Sequence, residues 1–246
     1  MAFDFSGKVA LVTGSTRGIG LDIAKLISTL GASTITVGSG KGLHQPPKLK
    51  NHYAHYDVDF LNREEMSEFL AEIGSINIDI CVNNAAINKK GSLISTTVED
   101  SNEVWDVNLK APLEISRTVA QRMIEARRGK IVNVLSLWSC YAPQDRMSYV
   151  TSKHALAGLT RSMAADLAGH GILVNGVSPG FVMTDLTRVS LSEDTISSLE
   201  NNIPLRRLAD PIEVAKAVCF LVSNENSYIT GQNIVVDGGY SVVRSY

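Results

Sequence analysis

Short runs of β-branched and aliphatic residues alternate along the chain with longer stretches in which apolar positions recur every three or four residues. The short runs predict strands over 9–13 (Val-Ala-Leu-Val-Thr), 34–37, 53–56, 78–82, 130–135, 172–177 and 233–236. Several are apolar at consecutive positions, as strands buried on both faces are, which predicts a parallel sheet covered by helices on each side. The helical period occurs at 18–30, 63–73, 99–127, 149–169 and 211–223. Strand and helix alternating in this way mean βαβ units with right-handed crossovers, hence an α/β, doubly wound sheet of about seven strands. No repeat, low-complexity stretch or long linker interrupts the rhythm, so residues 1–246 read as a single domain.

Two stretches depart from the pattern. Between Val37 and Asp57, glycines and the Pro46-Pro47 pair make a full helix improbable, and an irregular loop or short turn is expected. The segment 185–203 is rich in Ser and Thr and reads as a mobile lid.

Composition narrows the class without naming it. Charged residues are 20% of the chain and the net charge is −2, with both signs interspersed, so neither a nucleic-acid face nor a polybasic membrane anchor is indicated. The N-terminus lacks the layout of a secretory signal, and no run approaches the ~18 apolar residues that span a bilayer. Cys81, Cys140 and Cys219 form no CxxC pair, which favours free thiols over a disulfide or zinc site. A cytoplasmic protein is expected.

Candidate chemistry begins where the first strand runs into Gly14-Ser15-Thr16-Arg17-Gly18-Ile19-Gly20 and a helix follows. Glycines let backbone approach a pyrophosphate, and a helix N-terminus offers it free N–H groups and a partial positive charge. The spacing is Gly-x-x-x-Gly-x-Gly; a tight connection alone would also use glycines, but the first strand–helix junction is where a Rossmann-type domain binds a dinucleotide. An acid at the end of the second strand would hydrogen-bond the ribose 2′-OH of NAD and repel a 2′-phosphate. Gly38, Ser39, Gly40 and Lys41 stand there instead, with Arg17 placed to reach a phosphate. NADP(H) is therefore favoured over NAD(H), the alternative being that Arg17 and Lys41 are simply solvated. Asp57 and Val58 fall where an adenine crosses the sheet edge. Asn84, Ala85 and Ala86, after the fourth strand, fit a close approach to the ribose, whereas Asn83 fits a strand-tying role equally well.

Tyr149 and Lys153, four apart at a helix start, share one face. A phenol titrates near 10 and serves as acid or base at neutral pH only if a nearby cation lowers it, which Lys153 would supply. Ser136 ends a strand thirteen residues earlier, on the side of an open parallel sheet where ligands bind. Its hydroxyl could polarise a substrate oxygen.

Taken together, these features resemble the short-chain dehydrogenase/reductase family in its common single-domain branch, most of all the 3-oxoacyl-[acyl-carrier-protein] reductases. The resemblance covers essentially the whole chain, from Thr13-Gly14…Gly18-Ile19-Gly20 through Asn83-Asn84-Ala85-Ala86, Asn108, Ser136, Tyr149 and Lys153 to Pro179-Gly180, Thr184 and Gly231–Gly239. It implies a ketone–alcohol oxidoreductase in which Tyr149 moves the proton, Lys153 lowers its pKa and anchors the ribose, and Ser136 stabilises the alkoxide. It further implies that Asn108 holds a proton-relaying water, that Pro179, Gly180, Val182 and Thr184 flank the nicotinamide, and that no metal is needed. A homotetramer (or homodimer) is the implied assembly. The missing helix after the second strand departs from the family pattern and leaves the adenine-side contacts open.

The substrate, a small carbonyl or alcohol, is less legible. Trp138, Cys140, Tyr141 and Met147 offer apolar or aromatic walls, and Lys89, Lys90 and Arg146 could meet an anion or be merely solvated. Arg127 and Arg128 suit a carrier protein, but His170 stands where such reductases tend to have another Arg. A sugar, polyol or cyclic-alcohol (dihydrodiol-type) dehydrogenase is the alternative. A cofactor-binding protein without activity is more remote, since Tyr149 and Lys153 are both present.

Overall fold

The computed structural model describes residues 3–39 and 46–242. Lys41 and Gly40, read above as phosphate-side residues, lie outside the described residues. Seven strands, β1 (Val9–Thr13), β2 (Ser33–Gly38), β3 (His52–Asp57), β4 (Ile80–Asn83), β5 (Gly129–Val134), β6 (Ile172–Pro179) and β7 (Asn233–Val236), form one parallel sheet. Their order is β3-β2-β1-β4-β5-β6-β7, so the winding reverses between β1 and β4. That reversal opens a crevice at the carboxyl ends of the strands.

Successive residues along a strand point to opposite faces, and the core divides accordingly. Ala10, Val12, Ile80, Val82, Val132 and Val134 pack with Ile23, Ala24 and Ile27 of helix α1 (Gly18–Thr29) and Val214 and Val218 of a helix near the C-terminus, Pro211–Val222. The alternate residues Leu11, Cys81 and Ile131 pack on the other face with Met66 and Phe69 of α2 (Arg63–Gly74) and with Ile115, Val119 and Met123. Each such aliphatic side chain contributes about 1.5–3 kcal/mol on burial, which is why both faces must be apolar.

The stretch 99–127 is not one helix. It runs as α3 (Val98–Trp105), a π-helical turn (Asp106–Lys110) and α4 (Ala111–Ala126). Pro112 explains part of this: it has no N–H to return to the Asn108 carbonyl, as an α-helix would require. The Ala111 N–H instead reaches back five residues to the Asp106 carbonyl. Next come α5 (Met147–Leu167) and, in the Ser/Thr-rich segment expected as a lid, two short helices, α6 (Asp185–Ser190) and α7 (Glu193–Asn202). Thr184 and Ser192 cap them by accepting from Thr187 N and Thr195 N, so the hydroxyls that read as loop composition serve as helix caps. The Pro211–Val222 helix is α8.

Between β2 and β3 the described residues contain no helix, and residues 40–45 of the expected irregular connection lie outside the described residues. Asn51 brings the chain back: its backbone N–H donates to Ser28 Oγ (2.7 Å) and its amide to the Ser28 carbonyl (3.1 Å).

Candidate active site

The glycine turn is built from close approaches. A Cβ on Gly20 would lie 2.2 Å from the Gly14 carbonyl oxygen and 2.3 Å from Asn84 Nδ2, and one on Gly14 would lie 2.8 Å from Ala85 Cα. Gly14 also has φ +61°. Thr13 Oγ1 accepts from the backbone N–H of Asn84 (3.0 Å) and Ala85 (3.1 Å), while the Asn84 amide donates to the carbonyls of Thr13 and Gly14. Asn84 thus ties the turn to β4, and Asn83 is structural as well: its amide donates to Ser116 Oγ (2.9 Å) and Asn133 Oδ1 (2.8 Å) inside the sheet.

Helix α1 begins with its N-terminus open. Arg17 occupies the N-cap without a side-chain cap bond, and its first turn carries no acid. Uncapped N–H groups beside a cradle that any Cβ would fill suit a pyrophosphate. Thr184 closes the cradle from the other side, with its methyl 3.5 Å from where a Gly18 Cβ would be. Thr16 packs against Gly38 at the end of β2, next to exposed Ser39. Val58 N–H donates to the Gly38 carbonyl (2.9 Å), and Asp57 Oδ1 lies 3.4 Å from the position of a Gly38 Cβ. The acid missing from β2 therefore has a neighbour on β3, which sequence order conceals.

At the other side of the crevice, Ser136 follows β5 and accepts from Trp138 N–H (3.2 Å). Tyr149, in the first turn of α5, stands close enough to Ser136 for that hydroxyl to act on its phenol. Lys153 is buried, with Nζ donating to the Val134 carbonyl (2.8 Å) and lying 5.7 Å from the Tyr149 ring centroid. The expected lowering of the Tyr149 phenol is corrected here. Burial pushes it above its usual value, the nearby Ser136 hydroxyl pulls the other way, and the Lys153 Nζ is turned to a backbone carbonyl. Burial also brings Lys153 down to about 7.

Asn108 sits in the π turn, fully buried. Its Oδ1 accepts from Ile87 N–H (2.9 Å), and its Nδ2 donates to the Ile87 carbonyl (2.9 Å) and to Ser152 Oγ (3.1 Å). Ser152 in turn donates to the Tyr149 carbonyl (2.7 Å). The Asn108 side chain is thus fully engaged in positioning, and a water held by it would have to use the backbone carbonyl. His154 is exposed beside Lys153, its Nδ1 against the Val150 carbonyl.

Sequence reasoning missed several contributors. Ser152 had a signal, three residues after Tyr149 on the same helix. Ser139, Ser178 and Asn233 had none: they come together from 39 to 94 residues apart, beneath the turn that carries Ser136 and Trp138. Tyr240 stacks on Tyr141 and meets Phe181 edge-on, adding the C-terminal turn to the aromatic wall. Pro179 ends β6, Gly180 N–H donates to the Val236 carbonyl, and Val182 pairs with Ala209, so the strip beside the cradle is pinned at both ends. Among the described residues no cluster of His, Cys, Asp or Glu could hold a metal, and no helix is long and apolar enough to cross a membrane.

The family model described as Enoyl-(Acyl carrier protein) reductase matches residues 14–241. The 3-oxoacyl-[acyl-carrier-protein] reductase of Rickettsia typhi is 37% identical over 242 residues, 98% of this chain and 99% of its own. Among solved structures, the aldohexose dehydrogenase of Thermoplasma acidophilum superposes with a TM-score of 0.90 at 33% identity, covering 99% of this chain and 98% of the other. A gluconate 5-dehydrogenase from Burkholderia cenocepacia, solved with NADP and tartrate, gives 0.88 at 29% identity, with 99% and 98% covered.

Proposed function

The chain belongs to the short-chain dehydrogenase/reductase family, and on that premise we propose that it is an NADP(H)-dependent oxidoreductase interconverting a ketone and a secondary alcohol through Tyr149. The observation that carries the reading is Tyr149 beside Ser136 at the carboxyl end of β5, with the Nζ of buried Lys153 5.7 Å from the Tyr149 ring centroid. When bound, NADP(H) supplies or accepts the hydride. Gly14, Thr16, Gly18, Ile19 and Gly20 would hold its phosphates, Arg17 and Ser39 its 2′-phosphate end, and Asp57 and Val58 its adenine. Asn84, Ala85 and Ala86 would lie along the ribose, and Pro179, Gly180, Val182 and Thr184 at the nicotinamide.

In reduction, Tyr149 Oη gives its proton to the carbonyl oxygen while Ser136 Oγ donates a hydrogen bond to the developing alkoxide. A phenol held protonated by burial is suited to that acid role. Lys153, titrating near neutrality, can return a proton to Tyr149. The Asn108 carbonyl, which Pro112 cannot cap, is the group that would lead that proton in from solvent by way of a water. Trp138, edge-on to Tyr149 with ring centroids 5.8 Å apart, forms the substrate wall.

The first substrate class is a 3-oxoacyl thioester, supported by the curated relatives, whose names are of this activity. A second reading, a sugar or sugar acid, is supported by the solved neighbours and by Arg146 beside Trp138. Residues 1–246 would act as one domain, in the cytoplasm, as a homotetramer or homodimer. Exposed Leu113 on α4 and Val235 on β7 support association. Absorbance at the nicotinamide band tests the mechanism: Tyr149→Phe should lower kcat by roughly 10²-fold or more. Turnover unchanged by that substitution would overturn it.

A further inference from the structure

Arg146 is a cation of the pocket rim to which the proton chemistry above gives no part, and its surroundings are specific. It is the N-cap of α5, three residues before Tyr149. Its guanidinium lies over the Trp138 ring, 5.5 Å from the centroid, and the same indole meets Tyr149 edge-on. One aromatic ring therefore separates the cation from the proton donor. The backbone around it is held: Gly91 pairs with Arg146, Gly91 N–H donates to the Asp145 carbonyl, and Met147 N–H returns to the Gly91 carbonyl.

The donors of this guanidinium are largely unspent. Nη1 donates to the Asp145 carbonyl (2.8 Å), but Nε is buried without a hydrogen-bond partner. No carboxylate pairs with Arg146 among the described residues. Nearby Lys89 is different, engaged by both Asp100 and Glu103 at 2.6 Å. A buried, unpartnered donor has lost its water without compensation unless something accepts from it. The Nε–Nη2 edge that remains is the fork that fits a carboxylate in bidentate fashion.

We propose that Arg146 is a specificity-determining residue that receives a carboxylate of the substrate, so that the pocket prefers a compact keto acid or hydroxy acid over an uncharged ketone or alcohol of the same size. This rests on Tyr149 as the proton donor and on the second of the two substrate readings, the sugar acid, because the subsite is defined by its place one aromatic ring from that phenol. The phosphodiester of a pantetheine arm is a less suitable anion, since it lies the whole length of that arm from the reacting carbonyl.

The test is steady-state reduction by NADPH of 5-ketogluconate and fructose, six-carbon ketones with and without a carboxylate, by the parent chain, Arg146→Gln and Arg146→Lys. Two thioesters of 3-oxobutanoate, on coenzyme A and on N-acetylcysteamine, complete the panel. The parent should show higher kcat/KM on the keto acid. Arg146→Gln should lower the acid-to-neutral ratio about ten-fold or more, chiefly through KM, with Arg146→Lys in between. Equal losses on both ketones would make Arg146 a strut for Trp138 and overturn the subsite. An Arg146 effect confined to the coenzyme A thioester would assign the anion to the pantetheine phosphate and overturn it too. Reduction of the neutral thioester without the keto acid sinks the subsite but leaves Tyr149 standing; reduction of nothing in the panel sinks both.

Discussion

The two ends of the crevice are built differently. At the β5–α5 end, Asn108, Ser136, Ser152 and Lys153 are held by buried or part-buried hydrogen bonds, most of them between side chain and backbone. At the β2–β3 end, Arg17 and Ser39 are exposed, Asp57 is half exposed, and its Oδ1 lies 3.3 Å from His55 Nε2. Groups that must move a proton need fixed distances, and burial between packed elements supplies them. Groups that only weigh one charged ribose against another can work in solvent, at the cost of weaker and screened interactions. A substitution at the first end should therefore register in the fold, and one at the second only in affinity.

The largest effect expected from this contrast is at Asn108. Asn108→Ala would strand the part-buried N–H and carbonyl of Ile87 and remove one partner of Ser152, lowering stability by about 2–4 kcal/mol. Chemical denaturation measures this, and a loss below about 0.5 kcal/mol would show that the two ends do not differ as described.

Next comes the pH dependence at Lys153. Its ordinary value of 10.5 falls to about 7 on folding. Between those values the unfolded chain binds the extra proton, so stability should rise with pH from about 7 upward, at no more than about 1.4 kcal/mol per unit. Subtracting the stability profile of Lys153→Met from that of the parent between pH 7 and 9.5 should isolate that slope. A flat difference would mean that Lys153 keeps its charge on folding.

The smallest effect is at the open end. Arg17→Ala should weaken NADPH about ten-fold while leaving NADH nearly unchanged, with no change in melting temperature. Added salt should shrink the difference, because Arg17 is exposed. Equal loss of both cofactors, or preference of the parent chain for NADH, would remove Arg17 from the discrimination.

Much of this molecule was legible before its structure. Strands and helices follow from apolar periodicity because a sheet covered on both sides must be apolar on both sides. The glycine turn, Ser136, Tyr149 and Lys153 were visible because their spacing is local or falls at a strand end. The π turn was not, although Pro112 marked its place, since a proline near a helix start more often simply begins one. The segment 185–203 read as a lid because its Ser and Thr caps resemble loop composition until the helices they start are seen.

The sequence by itself determined the order of elements, the side of the sheet on which the candidate site residues lie, and the Tyr149–Lys153 pair, because each depends on neighbours a few residues apart. Only the tertiary structure decided that Asn108 is spent on Ile87 and Ser152, that Lys153 rests on the Val134 carbonyl, that Asp57 stands beside Gly38, and that Arg146 leaves a buried donor unpaired above Trp138. Those facts turn on how much water each group loses and which distant backbone it meets. Both are properties of packing between elements, which no local pattern carries.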